Sequence, residues 1–112
     1  MTLPTRIVLS DGRWFSEEDV VERWIHNETA SWRVTRENLL HTRKGFYVLE
    51  RFSGSPFDEE FDESVPDWVL NLDERVLIQP AAAATWLMQH KPDISADEIP
   101  SDIADEVESL RL

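Results

Sequence analysis

The stretch from residue 38 to residue 53 most constrains the fold, because two strand-like runs face each other across a recognisable turn. Leu39 to Thr42 leads into the turn, the residues 43–45 (Arg-Lys-Gly) form it, and Phe46 to Phe52 leads out. Three intervening residues that end in glycine suit a hairpin in which a type I turn is closed by a left-handed glycine. The second run has apolar side chains on both of its faces, which predicts an interior strand covered on part of each side.

The segment before the hairpin predicts a strand, a turn and a helix. Arg6 to Leu9 is a short apolar run, Ser10 to Arg13 has the residues of a tight reversal, and residues 14–15 (Trp-Phe) return to the core. Ser16 before three acids is typical of a helix start. The apolar residues that follow recur at helical spacing, and they are Val20, Val21, Trp24 and Ile25. We therefore predict a helix at about Glu17 to His26, followed by a strand around Trp32 and Val34.

After the hairpin the sequence changes character. Ser53 to Pro66 contains a glycine, two prolines and five acids between Asp58 and Glu63, which predicts a long exposed loop. Arg75 to Gln79 predicts a strand that runs into a helix begun by Pro80 and four alanines. A last amphipathic helix with an acidic outer face is predicted at about 101–111.

These segments together predict an α+β fold. We expect a small, largely antiparallel sheet of three to five strands centred on the 39–52 hairpin and packed with about three helices, because consecutive strands tend to be neighbours. The length of 112 residues fits one domain, residues 1–112.

The net charge of −12 is placed entirely in the second half of the chain. Residues 1–56 hold equal numbers of acids and bases, whereas residues 57–112 hold 15 of the 23 acids and only three of the 11 bases. Such a surface repels nucleic acid and anionic membranes and attracts basic protein surfaces, although solubility alone is an alternative explanation. There is no cysteine and no run approaching a membrane span, so we expect a cytoplasmic location without a membrane partner.

A motif also resembles that of a known group of proteins. The residues that form it are Leu39, Leu40, Thr42, Gly45, Tyr47 and Leu49, followed later by Ala84-Thr85-Trp86-Leu87. Over about residues 38–90 the chain resembles small bacterial proteins, often encoded near mobile elements, with a Leu-Tyr-x-Thr-x-x-Gly-x-Tyr/Trp-x-Leu hairpin and an Ala-x-x-Trp-Leu helix. The chain departs from this pattern at Leu40, where the group has tyrosine. The resemblance implies a hairpin followed by a helix and no catalytic residue.

Catalytic and metal sites find little support in the sequence. The three histidines, His26, His41 and His90, show no metal-ligand spacing, and His26 and His90 suit the negative ends of helices. The acidic loop resembles a calcium loop only in its first ligands, because glutamate and valine stand where glycine and glutamate are required. No nucleophile elbow, phosphate loop or dinucleotide fingerprint is present. We therefore expect no enzyme, no metal and no cofactor.

Two functional hypotheses remain. The first is a small acidic interaction protein, meaning an accessory, antitoxin-like or inhibitor module that binds a basic protein and in its sharper form imitates the charge of nucleic acid. Its expected contact residues are Asp58, Glu59, Glu60, Asp62 and Glu63 in the loop, with a second patch of Asp102, Asp105, Glu106 and Glu108. The alternative is a sheet face that binds single-stranded nucleic acid or a small ligand through aromatic and basic side chains. Its expected residues are Trp32, Arg33, Arg36, Arg43 and Lys44.

Overall fold

The computed structural model describes residues 5–56 and 60–112, which form an α+β fold. A four-stranded antiparallel sheet has the order β3-β4-β5-β6, and β1 and β2 form a separate two-stranded ribbon. The strands are β1 Arg6–Val8, β2 Trp14–Ser16, β3 Val20–Ala30, β4 Arg33–Thr42, β5 Tyr47–Gly54 and β6 Asn71–Ile78. The helices are α1 Pro80–His90 and α2 Ala104–Ser109, with 3₁₀ turns at Glu17–Asp19, Asp67–Val69, Ala96–Glu98 and Ser101–Ile103.

The hairpin predicted from residues 38–53 is confirmed as β4 and β5. The backbone N–H of Thr42 donates to the carbonyl of Phe46 at 2.9 Å, and the N–H of Gly45 donates to the carbonyl of Thr42 at 2.9 Å. Gly45 has a φ of +89°, the left-handed conformation that favours glycine. β5 lies between β4 and β6, so it is an interior strand as its two apolar faces predict.

The helix predicted at Glu17 to His26 is wrong. Helical structure there is a single 3₁₀ turn, Glu17–Asp19, in which the Asp19 carboxylate accepts hydrogen bonds from the backbone N–H and hydroxyl of Ser16. From Val20 onward the chain is strand β3, paired with β4 as far as Ala30. The spacing of the apolar residues fits a helix as well as a strand. The strand forms because β-branched residues favour strands and because β4 provides backbone hydrogen-bond partners along the length of β3. Two α-helices therefore remain where about three were expected.

One face of the sheet, the helix face, is covered by α1 and the C-terminal segment. Leu39 and Leu49 of the sheet pack against the buried side of α1, and Tyr47 and Ile103 belong to the same cluster. The buried residues of α1 are Ala83, Ala84, Trp86 and Leu87. Pro80 is the first residue of α1, as predicted. No helix in the described ranges is long and apolar enough to cross a membrane.

The opposite face, the ribbon face, is covered by two different segments. At the end of the sheet next to the 43–45 turn, here the hairpin end, Leu9 and Phe15 of the ribbon pack on Leu40 and Val48. At the other end, here the loop end, residues 60–70 cover the sheet. The apolar cluster there consists of Val34, Phe52, Leu70 and Phe61.

Candidate functional site

At the loop end, the acidic loop is held on the sheet by Arg36. Its guanidinium donates to the carbonyls of Asp62 at 2.8 Å and Val65 at 2.5 Å, to the Asp67 carboxylate at 2.9 Å and to the Asn27 side chain at 2.9 Å. Arg36 is only 2% exposed. The residue expected to contact a ligand is therefore a buried donor that shapes the loop.

The polar contacts continue across the middle of the ribbon face. The Asn38 amide donates to Asp67 at 3.1 Å and to Glu50 at 3.3 Å, and Arg75 donates to the second oxygen of Glu50 at 2.7 Å. Asn38 and Glu50 are both buried. A buried carboxylate is stable only when paired and hydrogen-bonded, which Arg75 and Asn38 provide. The loop end thus rests on a buried polar network, in which Oδ1 of Asn38 is left without a hydrogen-bond partner among the described residues.

The outer surface of the loop end combines acids with exposed aromatic side chains. Glu60, Asp62 and Glu63 are exposed, whereas Asp58 and Glu59 lie outside the described residues. Hydrogen bonds from Ser64 hold the pKa of Asp62 below its ordinary value. The exposed apolar side chains here are Trp32 at 71%, Trp68 at 83%, Val69 at 40% and Leu72 at 46% exposure.

The second acidic patch lies on and before α2. Asp105 and Glu108 are exposed and Glu106 is half-buried. Asp102 differs from these, because it accepts a hydrogen bond from the Tyr47 hydroxyl at 2.6 Å and lies 3.4 Å from Nε2 of His41. Asp102 therefore fastens the C-terminal segment to the helix face.

The two acidic patches do not come together. The loop patch is bonded to Arg36 on the ribbon face, and the second patch is bonded to His41 and Tyr47 on the helix face near the 43–45 turn. They lie on opposite faces and toward opposite ends of β4. A single flat partner surface therefore contacts one patch at a time.

The residues of the alternative hypothesis are also separated. Trp32 and Arg33 lie at the loop end, where Arg33 is 3.6 Å from Asp73, and Arg43 and Lys44 lie in the turn at the hairpin end. Arg33 is the first residue of the ten-residue strand β4, and Arg43 follows its last, so about 30 Å of strand separates the two groups. With Arg36 buried between them, they form two small basic sites instead of one continuous face.

His41 belongs to a closed set of contacts that the sequence did not reveal. Its Nδ1 lies 3.1 Å from Glu22, its Nε2 lies 3.4 Å from Asp102, and its ring stacks on Tyr47 with centroids 4.5 Å apart. Both ring nitrogens are thus engaged by carboxylates. Burial, followed by the hydrogen bond to Asp102, raises the pKa of Tyr47 well above its ordinary value. The arrangement joins β3, β4, β5 and the C-terminal segment.

A second histidine cluster lies on the helix face beside α1. The rings of His26 and His90 have centroids 4.0 Å apart, and His90 lies 3.5 Å from the Glu37 oxygen that accepts from the Trp86 indole. Burial and the neighbouring His26 lower the pKa of His90. His90 ends α1 as expected, but His26 lies within β3. Within residues 5–56 and 60–112, no group of three acidic or histidine side chains has the geometry of a metal site.

No protein-family model, curated protein or solved structure matches the chain. The hairpin and helix that the motif resemblance implies are both present, as β4–β5 and α1.

Proposed function

We propose that this chain is a small, non-enzymatic, cytoplasmic interaction protein that presents an acidic surface to a basic surface of a partner protein. The observation that supports this most directly is the loop end, which carries both exposed carboxylates and two strongly exposed tryptophans. Trp68 is 83% exposed and Trp32 is 71% exposed.

The distribution of ion pairs favours a basic partner. Eight of the arginines lie within 4 Å of a carboxylate, and they are Arg13, Arg23, Arg33, Arg36, Arg43, Arg51, Arg75 and Arg111. Among the described residues, the acids without such a pair include Glu60, Glu63, Asp105 and Glu106. Within the described ranges, the chain's own bases thus leave these four carboxylates without an ion pair, whereas Glu108 of the second patch is paired with Arg111. A negative field of this kind steers a positively charged partner and makes association depend on salt.

The exposed tryptophans add contact energy that the carboxylates alone do not provide. Exposed indole faces attract guanidinium and ammonium groups, and tryptophan is enriched among residues that dominate binding energy. Leu70, two residues after Trp68, is buried against Val34 and Phe52, which anchors the backbone near Trp68. A partner arginine between Trp68 and the loop carboxylates would therefore meet a pre-organised site.

In the sharper form of this proposal, the partner surface is one that ordinarily binds nucleic acid. Carboxylates of the loop then occupy the places of phosphates, as expected of an inhibitor or antitoxin-like module. The loop end is the primary contact, because it combines charge with exposed indoles. The acids of α2 form a separate, weaker contact.

The test is an affinity pull-down from a lysate of the organism that encodes the chain, at low and moderate salt, with matched baits. We expect the double substitution Glu60→Lys with Glu63→Lys, and separately Trp68→Ala, to remove a basic protein that the unaltered chain retains. The control is Asp93→Lys with Asp97→Lys, which changes the net charge equally at exposed positions away from the loop.

The proposal fails if the control removes the partner as completely as the loop variant, because net charge and not the loop end would then be responsible. It also fails if retention is unaffected by salt. Retention of single-stranded oligonucleotide by the purified chain, detected as quenched tryptophan fluorescence, would favour the alternative hypothesis.

A further inference from the structure

A small pocket opens at the hairpin end of the ribbon face, at the opposite end of the sheet from the acidic loop and on the opposite face from the second acidic patch. Its volume is about 160 Å³, and its apolar lining comes from the ribbon and from two sheet strands. The apolar residues that line its interior are Leu9, Phe15, Val48 and Leu77, of which all but Leu77 are buried. The pocket therefore has a fixed apolar floor formed by the core itself.

Two aromatic side chains border the pocket and remain half-exposed. Trp14 is 53% exposed and Phe46 is 49% exposed, although both line the same pocket. Arg6 lies over the Trp14 ring, 5.0 Å from its centroid. Large aromatic side chains contribute most when a second ring packs on them, and here part of each ring is still open to a ligand.

The charged residues of the pocket are mainly basic. Arg13, Arg43 and Lys44 line it, with Asp19 as the acid among the lining residues. Arg43 lies 3.7 Å from Asp19 and also donates to the carbonyl of Glu18, so its guanidinium is held in place. Arg13 is paired with Asp11 at 2.6 Å and Arg43 with Asp19, which leaves Lys44 as the lining base without an ion pair among the described residues, and its charge favours an anion here.

We infer that this pocket binds a small monocyclic aromatic carboxylate. The ring enters the apolar interior beside Trp14 and Phe46, and the carboxylate lies toward Lys44 and the two arginines. The volume sets the size of the ligand, because an apolar cavity of about 150 Å³ is sufficient for one benzene ring. Charge complementarity indicates that the ligand is negatively charged, because arginine and lysine bind carboxylates through charge-assisted hydrogen bonds.

The test is an NMR titration of the full chain with benzoate, and with benzamide and benzylammonium as neutral and cationic controls of the same size. We expect benzoate to give saturable shifts at the Trp14 indole and at the methyl groups of Val48 and Leu77. Benzamide should bind at least about tenfold more weakly because it lacks the negative charge of the carboxylate, and benzylammonium more weakly still because the basic residues repel it. Added salt should weaken benzoate binding.

Two substitutions locate the effect. Lys44→Glu changes an exposed turn residue at the pocket and should weaken benzoate binding several-fold, whereas the same change at Lys91 should leave it unaltered. If benzoate gives no saturable NMR shifts, or gives shifts at residues away from the pocket, the inference is overturned. Equal binding of all three probes overturns its carboxylate specificity. The Glu60→Lys, Glu63→Lys chain should bind benzoate normally, so this site and the acidic surface are tested independently.

Discussion

The two faces of the sheet are covered by different means. On the helix face, α1 satisfies its own backbone hydrogen bonds, and its contact with the sheet is made mainly by apolar side chains such as Leu39, Leu49 and Leu87, with one hydrogen bond from the Trp86 indole to Glu37. On the ribbon face, the cover at the loop end is an irregular segment whose carbonyl groups have no regular ladder. Arg36 supplies the missing donors for Asp62 and Val65.

This difference follows from the requirement that buried backbone groups be hydrogen-bonded. A helix needs only apolar contacts to bind a sheet, so its stabilisation is distributed over many side chains. A loop needs donors or acceptors from the sheet, so its attachment is concentrated in a few polar residues. At the loop end, Arg36 makes most of the hydrogen bonds that attach the loop to the sheet. The proposed acidic surface therefore depends strongly on this one buried side chain.

The largest effect expected from a single polar side chain is therefore at Arg36. The substitution Arg36→Met keeps an unbranched apolar stem but removes every donor, which leaves the Asp62 and Val65 carbonyls without a partner and the Asp67 carboxylate with Asn38 alone. We expect the free energy of unfolding to fall by about 3 kcal/mol, as in other broken buried ion pairs. Urea denaturation at neutral pH measures it.

The matched substitution on the helix face is Leu87→Ala, which removes a fully buried side chain and should cost about 2–5 kcal/mol. Hydrogen exchange distinguishes the two variants. Arg36→Met should accelerate exchange at residues 60–70 before the rest of the sheet, whereas Leu87→Ala should act on the whole core. Uniform exchange in Arg36→Met would contradict the idea that a single residue attaches the loop.

A smaller effect is expected at Tyr47, which joins the sheet to the C-terminal segment. The substitution Tyr47→Phe keeps the ring stacked on His41 but removes the hydrogen bond to Asp102. We expect a loss of about 1–2 kcal/mol, since Asp102 is partly exposed and regains water. The change should appear first as faster hydrogen exchange in Ala104–Ser109.

The same residue gives a signature at high pH. Because the pKa of Tyr47 is raised in the folded state, the unfolded chain loses its phenolic proton first, and stability should fall as the pH rises above about 10, the ordinary value for tyrosine. Tyr47→Phe should lack this part of the alkaline loss. An identical alkaline profile in both proteins would show that neither burial nor the Asp102 contact raises the pKa of Tyr47 in solution.

Local chemistry made some elements predictable from the sequence. The 43–45 turn needs a glycine with positive φ, and Pro80 followed by alanines specifies a helix start, so both predictions are confirmed. β3 was predicted wrongly because Val20, Val21, Trp24 and Ile25 fit a helix as well as a strand. The deciding factor was its pairing with β4, in which Trp24 lies opposite Leu39, and that contact is not local.

The role of Arg36 was hidden for the same reason. Its loop partners lie 26 to 31 positions away in sequence, so no spacing rule connects them. One signal was present, because Arg36 shares a strand face with Val34 and Leu40, which are both fully buried. A base in a row of apolar residues on an interior strand indicates a buried donor more strongly than a ligand contact.

The smallest expected effect is at His90, the last residue of α1. Its pKa is lowered by burial first and by His26 second, while Glu37 and Glu28 act in the opposite direction. The unfolded chain therefore takes up a proton before the folded chain does, and stability should fall as the pH decreases through about 6.5, the ordinary value for histidine.

His90→Gln removes this titration, so its free energy of unfolding should fall less between pH 7.5 and pH 5.5 than that of the unaltered chain. Urea denaturation at both pH values gives the comparison, and Asp93→Asn, at an exposed position three residues away, is the control. A steeper fall in His90→Gln would mean that attraction to Glu37 outweighs burial. The contact between α1 and the sheet would then also depend on a charged pair. The two faces would differ only in how much charged contacts contribute to the attachment of their covers.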